Sequence, residues 1–300
     1  MPCYHPIPAW KARTVNPSGK RGVVFSPTAG FRDLSLEVPC GQCIGCKLNR
    51  SRSWAIRLIH EAQSWDCSCF LTLTYSDDML PHGGTLVKSH FQSFMKRLRS
   101  KVRRKVSFFH CGEYGETLAR PHYHAIIFGY DFWTTRTPFG KSKSGAQQWR
   151  SAELESLWTH GNSTIGTVNF DSAAYIARYC VKKISGPGSR KHYEYVDEET
   201  GEITDRLPEY ITMSRRPGIG LRHIQRFSPE TWKSDSCIAN GKEVPVPKYY
   251  DKQLDNEKAR RIKGARIKKA RKQWRNNTPE RLATREEVAT AKTNLRSRNL

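Results

Sequence analysis

The run from Arg120 to Phe128, Arg-Pro-His-Tyr-His-Ala-Ile-Ile-Phe, constrains this chain more than any other segment. Its second half is β-branched and aromatic, which favours a half-buried strand over a helix. In a strand alternate side chains share a face, so His122 and His124 project from one side, about 7 Å apart along the chain, and Tyr123 from the other. Two imidazoles so placed can grip one metal ion from one side. A His-x-His pair by itself is more often structural than ligating, so its meaning depends on its surroundings.

The segments around it supply a sheet. Phe70-Leu-Thr-Leu-Thr-Tyr75 reads as a core strand closed by Ser76-Asp77-Asp78. Ser89 is a favourable N-cap for a helix to about Arg104, with Phe91, Phe94, Met95 and Leu98 on one stripe. Val106 to Tyr114 and His122 to Tyr130 read as strands, and the short link between them makes them antiparallel partners. Thr134 to Gly145 reads as a loop, 146–158 as a helix, Thr164 to Phe170 as a fourth strand. A helix capped by Asp171 or Ser172 follows, through Lys183. This β-α-β-β-α-β-α order over 70–184 predicts an α+β fold: an antiparallel sheet with helices packed on one face, a ferredoxin-like or RRM-like palm.

Outside that core, residues 1–46 are rich in Pro and Gly, and a helix is expected from Lys47 to about Ser64. Residues 185–219 are Gly/Arg-rich and irregular. The basic run 258–274 predicts a helix or a tail that folds on binding, and 276–300 is expected to be disordered. Four regions follow: 1–66, 67–184, 185–250 and 251–300.

Lys and Arg number 51 against 28 Asp and Glu, a net charge of +23, which implies a polyanionic partner. Aromatics interleaved with the cations favour nucleic acid over an anionic membrane. No apolar stretch approaches a membrane span and Met1-Pro2-Cys3-Tyr4 does not start a signal peptide, so a cytoplasmic protein is expected. In that compartment nine clustered cysteines are metal ligands or free thiols rather than disulfides. Cys40-x-x-Cys43-x-x-Cys46 is a candidate zinc site, with Cys3 or His5 as fourth ligand. An iron–sulfur run would continue with cysteine where Arg50 stands. Gly140-Lys141-Ser142 lacks the first glycine of a phosphate loop, Thr135 standing in its place, so no nucleotide cofactor is expected.

The chemistry gathers around the histidines. Glu113, near the end of the neighbouring strand, lies within reach of an ion held by His122 and His124, since paired strands are about 4.8 Å apart. Glu116, in the turn, is the rival carboxylate. Two imidazoles and a carboxylate suit Mn²⁺, while availability favours Mg²⁺. Further on, Tyr175 and Tyr179 are four apart and so share a helix face, with Lys182 and Lys183 one turn beyond. Such a stripe is commonly core packing. A phenol becomes a nucleophile when a metal polarises its target or a cation stabilises the phenolate.

Together these segments resemble the HUH superfamily of rolling-circle replication initiators. Phe70 to Tyr75 is similar to the family's first motif, His122-Tyr-His124 to its metal motif, and Tyr175 to Lys183 to its Tyr-x-x-x-Tyr motif with following Lys. Pro39-Cys-Gly-Gln-Cys-Ile-Gly-Cys46, Cys111-Gly-Glu-Tyr-Gly-Glu116, Arg120-Pro-His-Tyr-His124 and Met213-Ser-Arg-Arg-Pro-Gly-Ile-Gly220 narrow it to initiators of microvirus- or gokushovirus-type single-stranded DNA phages.

The resemblance implies an origin-specific nickase and strand transferase of the bacterial host's cytoplasm. A metal polarises the phosphodiester, one tyrosine forms a 5′-phosphotyrosine, and the freed 3′-OH primes a host polymerase. The second tyrosine serves rejoining, Lys182 or Lys183 stabilises charge, and unwinding depends on a host helicase. Residues 67–184 would be the endonuclease core and 185–250 an accessory DNA-binding region. A plasmid initiator or mobilisation relaxase shares this chemistry. A non-enzymatic zinc-containing DNA-binding protein is the reading from another class.

Overall fold

The computed structural model describes residues 3–115, 118–142, 145–178, 189–197 and 200–297. They form two compact units, Met1–Arg50 with Lys263–Leu300, and Ser51–Ile262.

The chain begins with three strands, β1 (Ile7–Val15), β2 (Arg21–Val24) and β3 (Gly30–Val38), in an antiparallel sheet of order β2-β1-β3. Helix α1 (Ile44–Ala62) leads to β4 (Ser68–Thr74), α2 (Lys88–Val102), and the hairpin β5 (Ser107–Tyr114) and β6 (Pro121–Phe128). Then come β7 (Arg136–Lys141), β8 (Gln147–Ser151), α3 (Ala152–Leu157), β9 (Ser163–Gly166) and α4 (Phe170–Arg178). The remaining elements are α5 (Ser189–Tyr193), β10 (Glu194–Val196), β11 (Ile203–Asp205), β12 (Tyr210–Met213), α6 (Leu221–Arg226) and α7 (Ser228–Ser234). They continue as β13 (Ser236–Ala239), β14 (Lys242–Pro245), α8 (Lys248–Asp251), α9 (Asn256–Lys272) and α10 (Pro279–Ser297).

The fold is α+β, built on a seven-stranded sheet of order β12-β5-β6-β4-β9-β8-β7 in which every pairing is antiparallel. The histidine strand β6 lies inside it, between β5 and β4. Alternation along β6 sends Tyr123, Ala125 and Ile127 into a core with Phe91, Phe94, Met95 and Leu98 of α2 and Leu154 and Leu157 of α3. Ile126 and Phe128, on the histidine side, pack with Ala55 and Leu58 of α1 and with Ala173, Ile176 and Ala177 of α4. Helices therefore cover both faces, not one. The cause is α1, whose apolar stripe needs a sheet face of its own. Each fully buried Phe or Leu in these layers contributes on the order of 1.5–3 kcal/mol.

Further segments depart from the sequence expectation, beginning with Arg136–Lys141, read as part of a loop, which is a strand paired with β8. Gln147–Ser151 is a strand and only Ala152–Leu157 is helical, because β8 pairs with both β7 and β9 and Ser151 caps the helix, accepting from the Leu154 N–H at 3.3 Å. Tyr210–Met213, in a stretch read as irregular, forms a seventh strand on β5, with Tyr210 opposite Gly112 and Thr212 opposite His110. Pro279–Ser297 is helical rather than disordered. Its Ala, Arg and Glu favour a helix locally, and Leu282, buried against Tyr4 and Cys43 within the first unit, anchors one face. Among the described residues no helix is long and apolar enough to cross a membrane.

Candidate active site

The site is assembled by strand register. Glu113 of β5 stands directly opposite His122 of β6, while His124 faces Cys111 on one side and Thr72 of β4 on the other. Glu113 Oε1 lies 2.9 Å from His122 Nε2 and 2.8 Å from His124 Nε2. Octahedral ligands about 2.1 Å from a Mg²⁺ ion sit about 3.0 Å apart, so the spacing suits three ligands on one side of such an ion. Glu116 lies outside the described residues.

Proton placement also fits a cation. His122 Nδ1 is 3.1 Å from the Arg120 carbonyl, which can only accept, so the ring donates there. A ring that donates at Nδ1 either donates from Nε2 to Glu113 as an imidazolium or, neutral, turns its Nε2 lone pair to a divalent ion between them. Burial disfavours the Glu113 anion, but hydrogen bonds from His122 and His124 outweigh that and hold its carboxyl down to about 2. Glu113 is 1% exposed, so its charge is focused on the two imidazoles rather than spread into water.

A further set of residues orients these three. Thr72 Oγ1 is 3.1 Å from His124 Nδ1, and the Phe70 ring stacks on His124 at 5.4 Å. Arg120 donates to Asp77 at 2.6 Å and to the Tyr75 carbonyl at 2.9 Å, tying the start of β6 to the end of β4. Thr72 and Phe70 received no role from the sequence, although register alone points Thr72 at His124.

Helix α4 crosses this face. The Tyr175 hydroxyl is 3.4 Å from His124 Nε2, its ring edge-on to the imidazole at 5.0 Å, with the Arg178 guanidinium 5.4 Å from the phenol ring. Tyr179, Lys182 and Lys183 lie outside the described residues. A phenol oxygen beside three groups able to hold one metal ion is an arrangement suited to attack on a polarised phosphorus.

In the other unit the structure brings Cys3, Cys40, Cys43 and Cys46 together, with all four sulfurs within 4.8 Å of one another. Four sulfurs about 2.3 Å from a tetrahedral zinc are spaced about 3.8 Å, and Cys3 Sγ is 3.5 Å from Cys40 Sγ and 3.9 Å from Cys43 Sγ. Backbone N–H groups of Tyr4, Cys40, Cys43 and Cys46 donate to these sulfurs. Burial raises the Cys43 thiol, but the Tyr4 and Cys46 N–H groups on its sulfur outweigh it and bring it down to about 6, while burial pushes the Cys3 thiol up and the Cys46 thiol up to about 12. Of the two fourth-ligand candidates, Cys3 joins the cluster; His5 turns to Glu286 of α10 at 2.6 Å.

The family model described as "Replication-associated protein ORF2/G2P" matches residues 68–184, from β4 through α4 and just beyond. The chain is 34% identical over 260 residues to replication-associated protein VP4 of Bdellovibrio phage phiMH2K, covering 83% of this chain and 76% of that one. It is 32% identical over 237 residues to replication-associated protein ORF2 of Spiroplasma virus 4, covering 73% and 68%. Replication-associated protein ORF4 of Chlamydia phage 1 is 29% identical over 231 residues, covering 73% and 54%. No solved structure matches the chain.

Proposed function

We propose, since this chain belongs to the family of phage replication-associated proteins, that it starts rolling-circle replication by nicking and rejoining single-stranded DNA through a 5′-phosphotyrosine. Glu113, His122 and His124 hold Mg²⁺ or Mn²⁺. Such an ion, when bound, supplies Lewis-acid polarisation of the scissile phosphodiester.

The observation that carries this reading is the Tyr175 hydroxyl, 3.4 Å from a histidine nitrogen that itself lies 2.8 Å from Glu113. Tyr175 is accordingly the first nucleophile. Its oxygen bonds to phosphorus as the P–O3′ bond breaks; the phenolic proton is released and the departing 3′ oxygen takes one up. Thr72 and Phe70 keep the His124 ring in place during attack. Tyr179 serves the second transfer, and Lys182 or Lys183 stabilises charge on phenolate or phosphate. The bond energy is kept in the phosphotyrosine, so rejoining needs no nucleotide cofactor.

In this reading residues 67–184 are the endonuclease and 1–66 carry a zinc ion on Cys3, Cys40, Cys43 and Cys46. Residues 185–250 add DNA contacts and 251–300 a basic tail. The freed 3′-OH is extended by a host polymerase, with a host helicase unwinding, in the cytoplasm of the bacterial host. The test is a single-stranded origin oligonucleotide incubated with Mg²⁺ or Mn²⁺ and resolved on a denaturing gel. A covalent adduct is expected, reduced by at least about 1,000-fold in Tyr175→Phe with DNA binding retained. Cleavage that persists in the Tyr175→Phe/Tyr179→Phe double variant would sink the assignment.

A further inference from the structure

The face of β5 turned away from Glu113 carries a second polar arrangement that the nicking chemistry does not use. Side chains alternate along a strand, so His110 points to the opposite side of the sheet from Glu113, about 10 Å away along β5. There a cavity of about 280 Å³ opens between helix α2 and the edge strand β12. His110 lies at its floor, 1% exposed. One ring nitrogen meets Thr212 Oγ1 at 2.9 Å, and its face stacks on Phe91 at 3.5 Å. The other nitrogen, Nε2, is buried with no hydrogen-bond partner, and so is the Tyr210 hydroxyl from β12.

Two buried, unpartnered polar atoms on residues that line one cavity are costly, each on the order of 1–3 kcal/mol. Gly112, between them, leaves room for this layout: a Cβ there would come within 2.9 Å of the Tyr210 ring. The mouth is cationic. Lys88, Gln92, Lys96 and Arg99 are exposed along one side of α2. Lys88 Nζ lies 5.0 Å from the Tyr210 ring centre and the Arg99 guanidinium 5.6 Å from that of Phe108. Among the described residues none of these three cations is in a salt bridge. Polar edges and aromatic walls inside, with cations outside, match a nucleotide: a base to be hydrogen-bonded and phosphates to be neutralised.

We propose that this cavity binds one nucleotide of single-stranded DNA, away from the nicking centre, with His110 and Tyr210 meeting the base edge and Lys88, Lys96 and Arg99 the adjoining phosphates. A DNA strand suits it better than a free mononucleotide, because the eleven helical rises from Lys88 to Arg99 spread the cations over about 16 Å, beyond the reach of one phosphate. This rests on the replication reading, since it presumes that DNA is the substrate. It adds a place where a base near the nick is read, reached around the β12 edge of the sheet.

The test uses the full chain in EDTA, so that binding is read apart from cleavage, with a fluorescent mixed-sequence single-stranded oligonucleotide. Gln92→Trp, an exposed substitution that fills the mouth, is expected to weaken binding about tenfold. Lys96→Ala/Arg99→Ala is expected to reduce the slope of log affinity on log salt by about 0.7 per cation removed. In the wild type the His110 imidazole nitrogen resonances should shift on adding the oligonucleotide. Affinity within twofold of wild type in both variants, with unchanged salt slope, overturns the inference and leaves the nicking reading intact. A mononucleotide that binds as tightly as the oligonucleotide overturns the strand assignment. A wild-type chain that binds no single-stranded DNA overturns the inference together with the reading beneath it.

Discussion

Glu113 and His122 face each other directly across the β5–β6 ladder, and the carboxylate reaches past its partner to touch His124 as well. One buried anion thus fixes two imidazoles. Replacing it by Gln keeps the shape and removes the charge. We expect Glu113→Gln to weaken Mn²⁺ binding about 10–100-fold, read by calorimetry, with adduct formation partly restored at high metal concentration. Unchanged affinity would remove Glu113 from the ligand set.

Thr72 tests the layer behind the proposed ligands. Its hydroxyl touches His124 Nδ1 at 3.1 Å from the central strand β4. Thr72→Val keeps the β-branched shape and deletes the hydrogen bond. Stability should fall by about 1 kcal/mol, while metal affinity drops about tenfold because the imidazole is free to turn. A variant that loses only stability would make Thr72 a packing residue.

How much of this was readable from sequence differs from element to element. The strands around His122 and Phe70 were legible because Ile, Phe and Leu runs mark buried strands whatever surrounds them, and α2 because its four apolar residues share one stripe. Gln147–Ser151 misled because Gln, Arg and Ser suit a helix locally, and only pairing to β7 and β9 makes it a strand. Tyr210–Met213 was hidden among glycines and arginines, since a four-residue edge strand leaves almost no periodic signal. The contact of Tyr175 with His124 depends on how α4 crosses the sheet, and no spacing within the helix encodes that.

The cysteine cluster yields a stability prediction. Leu282 of α10 packs on Cys43 and Tyr4, and Glu286 holds His5. We expect the purified chain to carry zinc at this cluster, and Cys43→Ser to lose it. Loss should expose α10 to proteolysis within 279–297, since a helix with one anchored face unravels when its anchor goes. Mass spectrometry after limited digestion checks this; an α10 equally protected without zinc would separate helix from metal.

A last prediction concerns acid. In the second unit His60 is buried, its ring stacked on His223 at 3.6 Å and its Nδ1 2.9 Å from the Tyr250 hydroxyl. Burial, aided by repulsion from His223, brings its imidazole down to about 3 from an ordinary value of 6.5. The folded state thus holds the ring neutral where the unfolded chain would protonate it. That stability is fully present above about pH 6.5 and drains away as pH falls toward about 3. Between pH 7.5 and 5.0 His60 should therefore cost the fold about 2 kcal/mol, at 1.36 kcal/mol per unit below 6.5. His60→Gln cannot take up the proton. It should be less stable than wild type at pH 7.5, because it loses the stacking, yet show a shallower decline on acidification. Urea unfolding of both proteins at the two pH values measures the difference, and parallel declines would mean that His60 is not the group that titrates.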